Sequence, residues 1–274
     1  MPELPEVETV RRGLARWSLN STINAVQVLH HRATNPRSIA PLEVVAGASI
    51  VEISRRGKFL WFDLDRPFAL VAHLGMSGQF RIQPAGAPDE KHLRVRLLLD
   101  DHQELRFIDQ RTFGWLAVSG NEGSVPELVS AIAPDIFDPL FDRSAVINKF
   151  RKKQTEIKRA LLDQNLISGV GNIYADESLW HARIHPQSRC AELSPRKMEN
   201  LLTAAETVMS KALVEGGTSF DSLYINVNGE SGYFAHSLEA YGRENEPCSR
   251  CATQIRRIVI GGRSSHFCPK CQRL

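Results

Sequence analysis

Four of the five cysteines form two Cys-x2-Cys pairs, Cys248/Cys251 and Cys268/Cys271, with sixteen residues between them. No other feature restricts the fold of this chain so tightly. Two such pairs can bring four thiolates around one zinc ion as a tetrahedron. A module this short buries little core, so the metal supplies most of its folding energy. Disulfides fit poorly, because the acidic start lacks the basic, apolar character of a secretory leader; a reducing cytoplasmic setting is expected. Cys190 stands apart as a structural thiol, and His266 lies near a shell that four cysteines already fill. Arg256, Arg257 and Arg263 between the pairs suit contact with backbone phosphate, although a solvated basic hairpin or a protein-binding ribbon would look the same.

Charge follows the same asymmetry. Residues 1–144 hold 16 basic and 18 acidic side chains, a net of −2, whereas 145–274 hold 18 and 13, a net of +5. The stretch 241–274 alone has 7 basic and 2 acidic residues, again +5, which points to a polyanionic partner at that end. No apolar run is long enough to span a membrane.

Hydrophobic periodicity changes once along the chain. Leu93, Val95, Leu97 and Leu99 alternate with Arg94, Arg96 and Leu98, and a polar turn at 101–104 leads to Leu105 and Phe107 around Arg106. This predicts a hairpin with one buried face. Similar runs at 50–53, 59–62 and 70–72 extend the pattern to a β-sandwich. From 144 onward the period is helical. Ser144, Thr155, Asn172 and Ser194 are the expected caps, and the longest helix ends at Gly216-Gly217. The expected organisation is α+β, with a helix and sandwich over 1–120 and a linker over 121–143. A helical domain over 144–239 and a zinc ribbon over 240–274 complete it.

The opening, Met1-Pro2-Glu3-Leu4-Pro5-Glu6, precedes a helix in which Val7, Val10 and Leu14 recur at helical spacing. Removal of Met1 would expose the secondary amine of Pro2 beside two carboxylates. An α-amine has a pKa of about 8 and is far more nucleophilic near neutrality than lysine. A secondary amine condensing with an aldehyde-like carbon gives a cationic iminium, an electron sink. Acidic residues in a first helical turn are equally ordinary dipole compensation.

Together these segments resemble the bacterial formamidopyrimidine-DNA glycosylase family over nearly the whole chain. The motifs are Pro2-Glu3-Leu4-Pro5-Glu6-Val7-Glu8, Arg55-Arg56-Gly57-Lys58, His73-Leu74-Gly75-Met76-Ser77-Gly78, and the run Gly169-Val170-Gly171-Asn172 continuing to Glu177. Gly232-Tyr233-Phe234 and Tyr241-Gly242-Arg243 follow, leading into the cysteines. The resemblance implies a bifunctional glycosylase and apurinic-site lyase of base excision repair. It would excise oxidised purines such as 8-oxoguanine and formamidopyrimidines, acting as a monomer on damaged double-stranded DNA. By resemblance the catalytic set is Pro2 as nucleophile, Glu3 as proton-transfer carboxylate, and Lys58 and Arg263 as phosphate grips, with Glu6 in support. His73, Asn172 and Arg111 would bind DNA, with Met76 and Phe113 as wedges in the space left by the flipped nucleotide. Cys248, Cys251, Cys268 and Cys271 would hold one structural zinc, with a helix–two-turn–helix element around Asn172 and a closing loop over 218–232.

Two departures from the family pattern bear on binding rather than chemistry. Gln110 and Thr112 stand where many relatives have Pro and Arg, and Ala252 stands where glycine is common. The rival readings are an endonuclease VIII-like glycosylase for oxidised pyrimidines and a non-catalytic zinc-dependent DNA-binding protein.

Overall fold

The computed structural model describes residues 2–100, 102–121, 123, 125–217 and 237–274. Met1, the expected closing loop over 218–232 and the Gly232-Tyr233-Phe234 motif lie outside the described residues. The chain forms two compact units that divide between Ala131 and Ile132, with Gly216 and Gly217 returning to the first.

In the first unit helix α1 (Leu4–Ser18) leads into eight strands: β1 (Ile23–Val28), β2 (Ile50–Arg56), β3 (Phe59–Leu64), β4 (Phe68–His73), β5 (Gly78–Pro84), β6 (Leu93–Leu99), β7 (Gln103–Asp109) and β8 (Trp115–Gly120). They pair antiparallel in two four-stranded sheets, ordered β1-β6-β7-β5 and β2-β3-β4-β8. Ile53, Leu60, Phe62 and Leu70 from one sheet meet Phe80, Val95, Leu97 and Phe107 from the other. Val7, Val10 and Leu14 of α1 join that core, as their spacing requires. The sandwich expected from the alternating runs is therefore present, helix included.

One strand departs from expectation. β7 is buried on both faces, because Arg106, 1% exposed, lies beneath the 87–90 segment. Its guanidinium donates to the carboxylates of Glu104 and Glu90 and to the Ala87 and Pro88 carbonyls, so its charge is met on every side. Alternation alone marks Arg106 as solvent-facing. Its acceptors come from a segment with no periodic signal.

Helix α2 (Glu127–Ser130) closes the first unit, and the second carries α3 (Arg143–Arg151), α4 (Ile157–Leu161), α5 (Asn172–Ala182), α6 (Pro195–Val214), β9 (Arg256–Ile260) and β10 (Arg263–Phe267). Ser194 caps α6 as expected, accepting from Lys197 N. The other three caps are shifted. Asp142, not Ser144, caps α3 by accepting from Ala145 N at 2.9 Å. Glu156 precedes α4, while Thr155 donates to its carboxylate, and Gly171 precedes α5 with Asn172 as the first helical residue. Each shift is one or two residues, the range over which neighbouring polar side chains compete for the same orphan N–H groups. β9 and β10 join through Gly261-Gly262, both at positive φ, a hairpin turn that glycine alone enters without strain. The ribbon packs with the helices of this unit, sharing the buried Trp180, Ala240, Ile255, Cys248 and Cys268.

Candidate active site and metal centre

The N-terminus of α1 is a buried pair of carboxylates. Glu3 precedes the first helical turn, and its N–H donates to Glu6 Oε2 at 2.9 Å in a capping box. Glu3 and Glu6 are 2% and 5% exposed, and Pro2 is buried beside them. Gly217 at φ +84° lies against Glu6, where a Cβ would come within 3.2 Å of its carboxylate. Pro2, Glu3 and Glu6 are thus drawn together by one helix start. The amine exists only once the peptide bond to Met1 is cut.

Glu8, one turn on, ties this helix to the β2–β3 hairpin. It accepts from Arg11, Arg12 and, at 3.1 Å, from Arg55 Nε. Burial pushes its carboxyl up, but those hydrogen bonds and charges outweigh it and lower the pKa to about 2. The hairpin turns at Gly57 (φ +58°) and Lys58, and Arg56 pairs with Phe59 across it. Lys58 is buried in that turn. His73 ends β4 between Phe59 and Trp115, with ring centroids at 4.9 and 5.7 Å, and its Nδ1 accepts from Gly75 N. Burial, with the Lys58 ammonium nearby, lowers the His73 pKa to about 4. The imidazole is therefore neutral near pH 7, and any phosphate contact it makes is that of a neutral donor.

Met76, Arg111 and Phe113 occupy two loops, after β4 and after β7, that are locked to each other. Asp109, fully buried, accepts from Ser77 Oγ at 2.5 Å and Arg111 N at 3.1 Å through Oδ1, and from Gly114 N at 2.6 Å through Oδ2. Gly75 sits at φ +60°, and a Cβ there would strike the Phe113 carbonyl carbon at 2.4 Å. Met76 and Phe113 are 39% and 54% exposed, and the Arg111 guanidinium lies 5.1 Å from the Phe113 ring centre. Large apolar side chains held outward on a braced loop pair suit insertion into a base stack. Thr112, the departure noted above, takes φ +55°, a conformation costly for a β-branched residue. Asp109 and Ser77 are residues that sequence reasoning missed. A polar residue ending an alternating strand was the available signal, but Ser77 lies 32 residues away from it along the chain.

In the second unit Asn172 and Arg263 come together at the ribbon. Asn172 Nδ2 donates to Ser264 Oγ at 3.4 Å, and Arg263 begins β10 with its side chain exposed. Asn172 Oδ1 is buried without a partner among the described residues. Glu177, in the next turn of α5, accepts from Glu239, Ala240 and Tyr241 N at 2.8–2.9 Å and so anchors the chain entering the ribbon. Burial drives its pKa up against those three bonds.

The four cysteine sulfurs all lie within 4.8 Å of one another, with Cys251 Sγ 3.4 Å from both Cys268 and Cys271. Four thiolates at Zn–S bond length stand about 3.8 Å apart, so the donor set fits one zinc. Hydrogen bonds from Thr253 lower the Cys251 thiol to about 6, favouring the ligating form. Ala252, where glycine was expected, is held at φ +59° in the turn between Cys251 and Thr253.

Comparison with known proteins agrees with both units. The family models for the formamidopyrimidine-DNA glycosylase N-terminal domain and H2TH domain match residues 1–116 and 132–222. The zinc finger found in FPG and IleRS matches 245–274. This chain belongs to the formamidopyrimidine-DNA glycosylase family. The formamidopyrimidine-DNA glycosylase of Nocardioides sp. is 54% identical over 99% of this chain and 94% of its own length. The Streptomyces coelicolor relative is 54% identical over 100% and 98%. Among solved structures, the Lactococcus lactis Fpg complexed with abasic-site DNA superimposes with a TM-score of 0.90 at 34% identity, over 99% of this chain and 100% of that one. The same score and identity relate it to a mutant of the L. lactis protein bound to Fapy-dG DNA, over 100% of both chains. As in other members of the family, an α+β sandwich, a helical H2TH domain and a zinc finger follow in order. Among the described residues no helix is long and apolar enough to cross a membrane.

Proposed function

We propose that this chain is a base-excision DNA glycosylase and apurinic-site lyase for oxidised purines in duplex DNA, acting as a monomer in the bacterial cytosol. The observation that carries the proposal is the convergence of Pro2, Glu3 and Glu6 at the buried start of α1. The family relatives, and the abasic-site and Fapy-dG DNA in the L. lactis structures, support the substrate class.

The Pro2 nitrogen, freed of Met1, attacks C1′ of the damaged nucleotide. The glycosidic C–N bond breaks, and the base leaves with the electron pair and a proton. Glu3 moves the proton that opens the sugar ring, leaving an iminium between Pro2 and C1′. The iminium acidifies C2′–H. Loss of that proton expels the 3′ phosphate, and a second elimination expels the 5′ phosphate. Proton transfer of this kind contributes about 10²–10⁴-fold. Glu6 holds the Glu3 backbone and so fixes the amine against its carboxylate. Extrusion of the nucleotide costs a few kcal/mol, which Met76 and Phe113 offset by filling the stack, with Arg111 bonding the orphaned partner.

Lys58, Arg263, His73 and Asn172 would grip phosphate, the first two as charges and the others as neutral donors. Cys248, Cys251, Cys268 and Cys271 would hold one zinc, whose role would be to keep the ribbon folded.

The test is borohydride trapping on an 8-oxoguanine·cytosine duplex with mass spectrometry of the adduct. A reduced cross-link at Pro2 of a chain lacking Met1 is expected. Excision with no adduct at that residue would end the mechanism. Excision of thymine glycol with 8-oxoguanine left intact would move the specificity to pyrimidines.

A further inference from the structure

Asp176 lies in the second turn of α5, with its carboxylate fully buried. Its Oδ1 accepts from Lys158 Nζ at 2.5 Å and from Ser265 Oγ at 2.9 Å. Its Oδ2 accepts from His266 N at 2.8 Å and lies 3.2 Å from His266 Nδ1. The Lys158 and Asp176 side chains are both 0% exposed. Lys158, from α4, also donates to the Ser264 carbonyl at 2.8 Å, and Asn172 donates to the Ser264 hydroxyl. Three consecutive residues of β10, Ser264, Ser265 and His266, are therefore fixed to the H2TH helices by side chains from α4 and α5. Arg263 immediately precedes them.

A buried ion pair is a poor way to gain stability, because desolvating two charges offsets most of their attraction, and apolar side chains of similar size would hold these elements together at least as well. What charge-assisted bonds add is direction. Each fixes a donor and an acceptor along one line, whereas an apolar contact tolerates sliding. The strand that is fixed starts at Arg263, and one of the fixing side chains is Asn172.

We propose that Asp176 is a positioning residue for DNA binding: with Lys158 it sets the register of β10 against α5, so that Arg263 and Asn172 present a fixed phosphate-to-phosphate spacing. This inference rests on the reading of Arg263 as a phosphate grip. Without the lock, Arg263 still carries its charge but reaches phosphate from a strand free to shift.

The experiment is a double-mutant cycle of Asp176→Asn and Arg263→Ala, read as affinity for a duplex carrying an uncleavable tetrahydrofuran abasic analogue at several salt concentrations. Arg263→Ala should weaken binding and flatten the salt slope by about one unit, the signature of one lost phosphate contact. Asp176→Asn should weaken binding about 10-fold in the wild-type background and less than about 2-fold in the Arg263→Ala background, since coupled sites are not additive. It should also flatten the slope without removing a charge from the DNA-facing side, a result that simple destabilisation does not give. Zinc content of one per chain certifies the ribbon in each variant. Should Asp176→Asn lose zinc, Ser265→Ala, which removes one bond to Oδ1, enters the same cycle with a smaller effect in the same direction. Equal losses from Asp176→Asn (or Ser265→Ala) in both backgrounds, or no loss where Arg263→Ala is impaired, would overturn the positioning role while leaving the phosphate reading intact. A silent Arg263→Ala would instead remove the phosphate reading, and this inference with it.

Discussion

At the scale of single residues, the chemistry depends on what burial does to charge. His73 is the plainest case. Its imidazole is enclosed by Phe59 and Trp115 and shares its surroundings with Lys58, which holds its pKa at about 4. In the unfolded chain the same group takes up a proton near 6.5. The unfolded state therefore binds more protons between those two values, and folding stability declines as the pH falls through that window. The stability is full above pH 6.5, and by pH 4 as much as about 3 kcal/mol is lost. Denaturant unfolding across this range should show that slope in the wild type and lose it in His73→Gln. An NMR titration placing His73 near 6.5 in the folded protein would sink the argument. The type and position of His73 were legible in the sequence. Its protonation state was not, because the aromatic walls that set it come from β3 and β8.

At the scale of elements, the periodic segments were readable and the locks between loops were not. Sandwich strands and the amphipathic faces of α1 and α6 follow from spacing alone, since each buries one stripe against a single core. The cysteine spacing likewise fixed the metal set. The buried roles of Arg106, Asp109, Glu177 and Asp176 were not legible, for a shared reason. Each is a charged residue whose partners are brought by tertiary folding, so its local sequence looks like a solvated face. The Asp109 clasp shows what such a residue does. Replacing it with Asn keeps the shape but turns one acceptor into a donor, opposite either Gly114 N or the Ser77 and Arg111 pair. Turned to Gly114, the amide leaves that buried N–H without its acceptor; turned to the pair, it leaves Arg111 N only the 3.1 Å bond to Ser77 Oγ, and either change costs about 1–3 kcal/mol. Asp109→Asn should thus lower the unfolding free energy of the first unit by about 2 kcal/mol. It should also weaken binding to abasic-analogue DNA, because the loops carrying Met76, Arg111 and Phe113 lose their common anchor. Denaturant unfolding checks the first effect, and unchanged stability would mean that the clasp holds nothing.

At the scale of the whole molecule, the two units rest on different sources of stability. The first has a continuous apolar core drawn from both sheets and α1, and its described residues include none of the four clustered cysteines. The ribbon of the second has little more than Ile255, Ala240 and Trp180 around its cysteines, so its order depends on the ion they bind. Cys248→Ser removes one of four thiolates and should release zinc. Three effects should follow together. The Trp180 fluorescence should change as its packing against Cys248 and Cys268 is lost. DNA affinity should fall, with a shallower salt dependence, because Arg263 is no longer held and the ribbon carries much of the positive charge of the 241–274 stretch. The unfolding transition of the sandwich should keep its midpoint, since nothing in its core has been touched. Chelator titration of the wild type should reproduce the same pattern reversibly. A sandwich transition that moved with the metal would show the two units to be one cooperative system, whereas unchanged DNA affinity after zinc loss would take the ribbon out of the binding surface altogether.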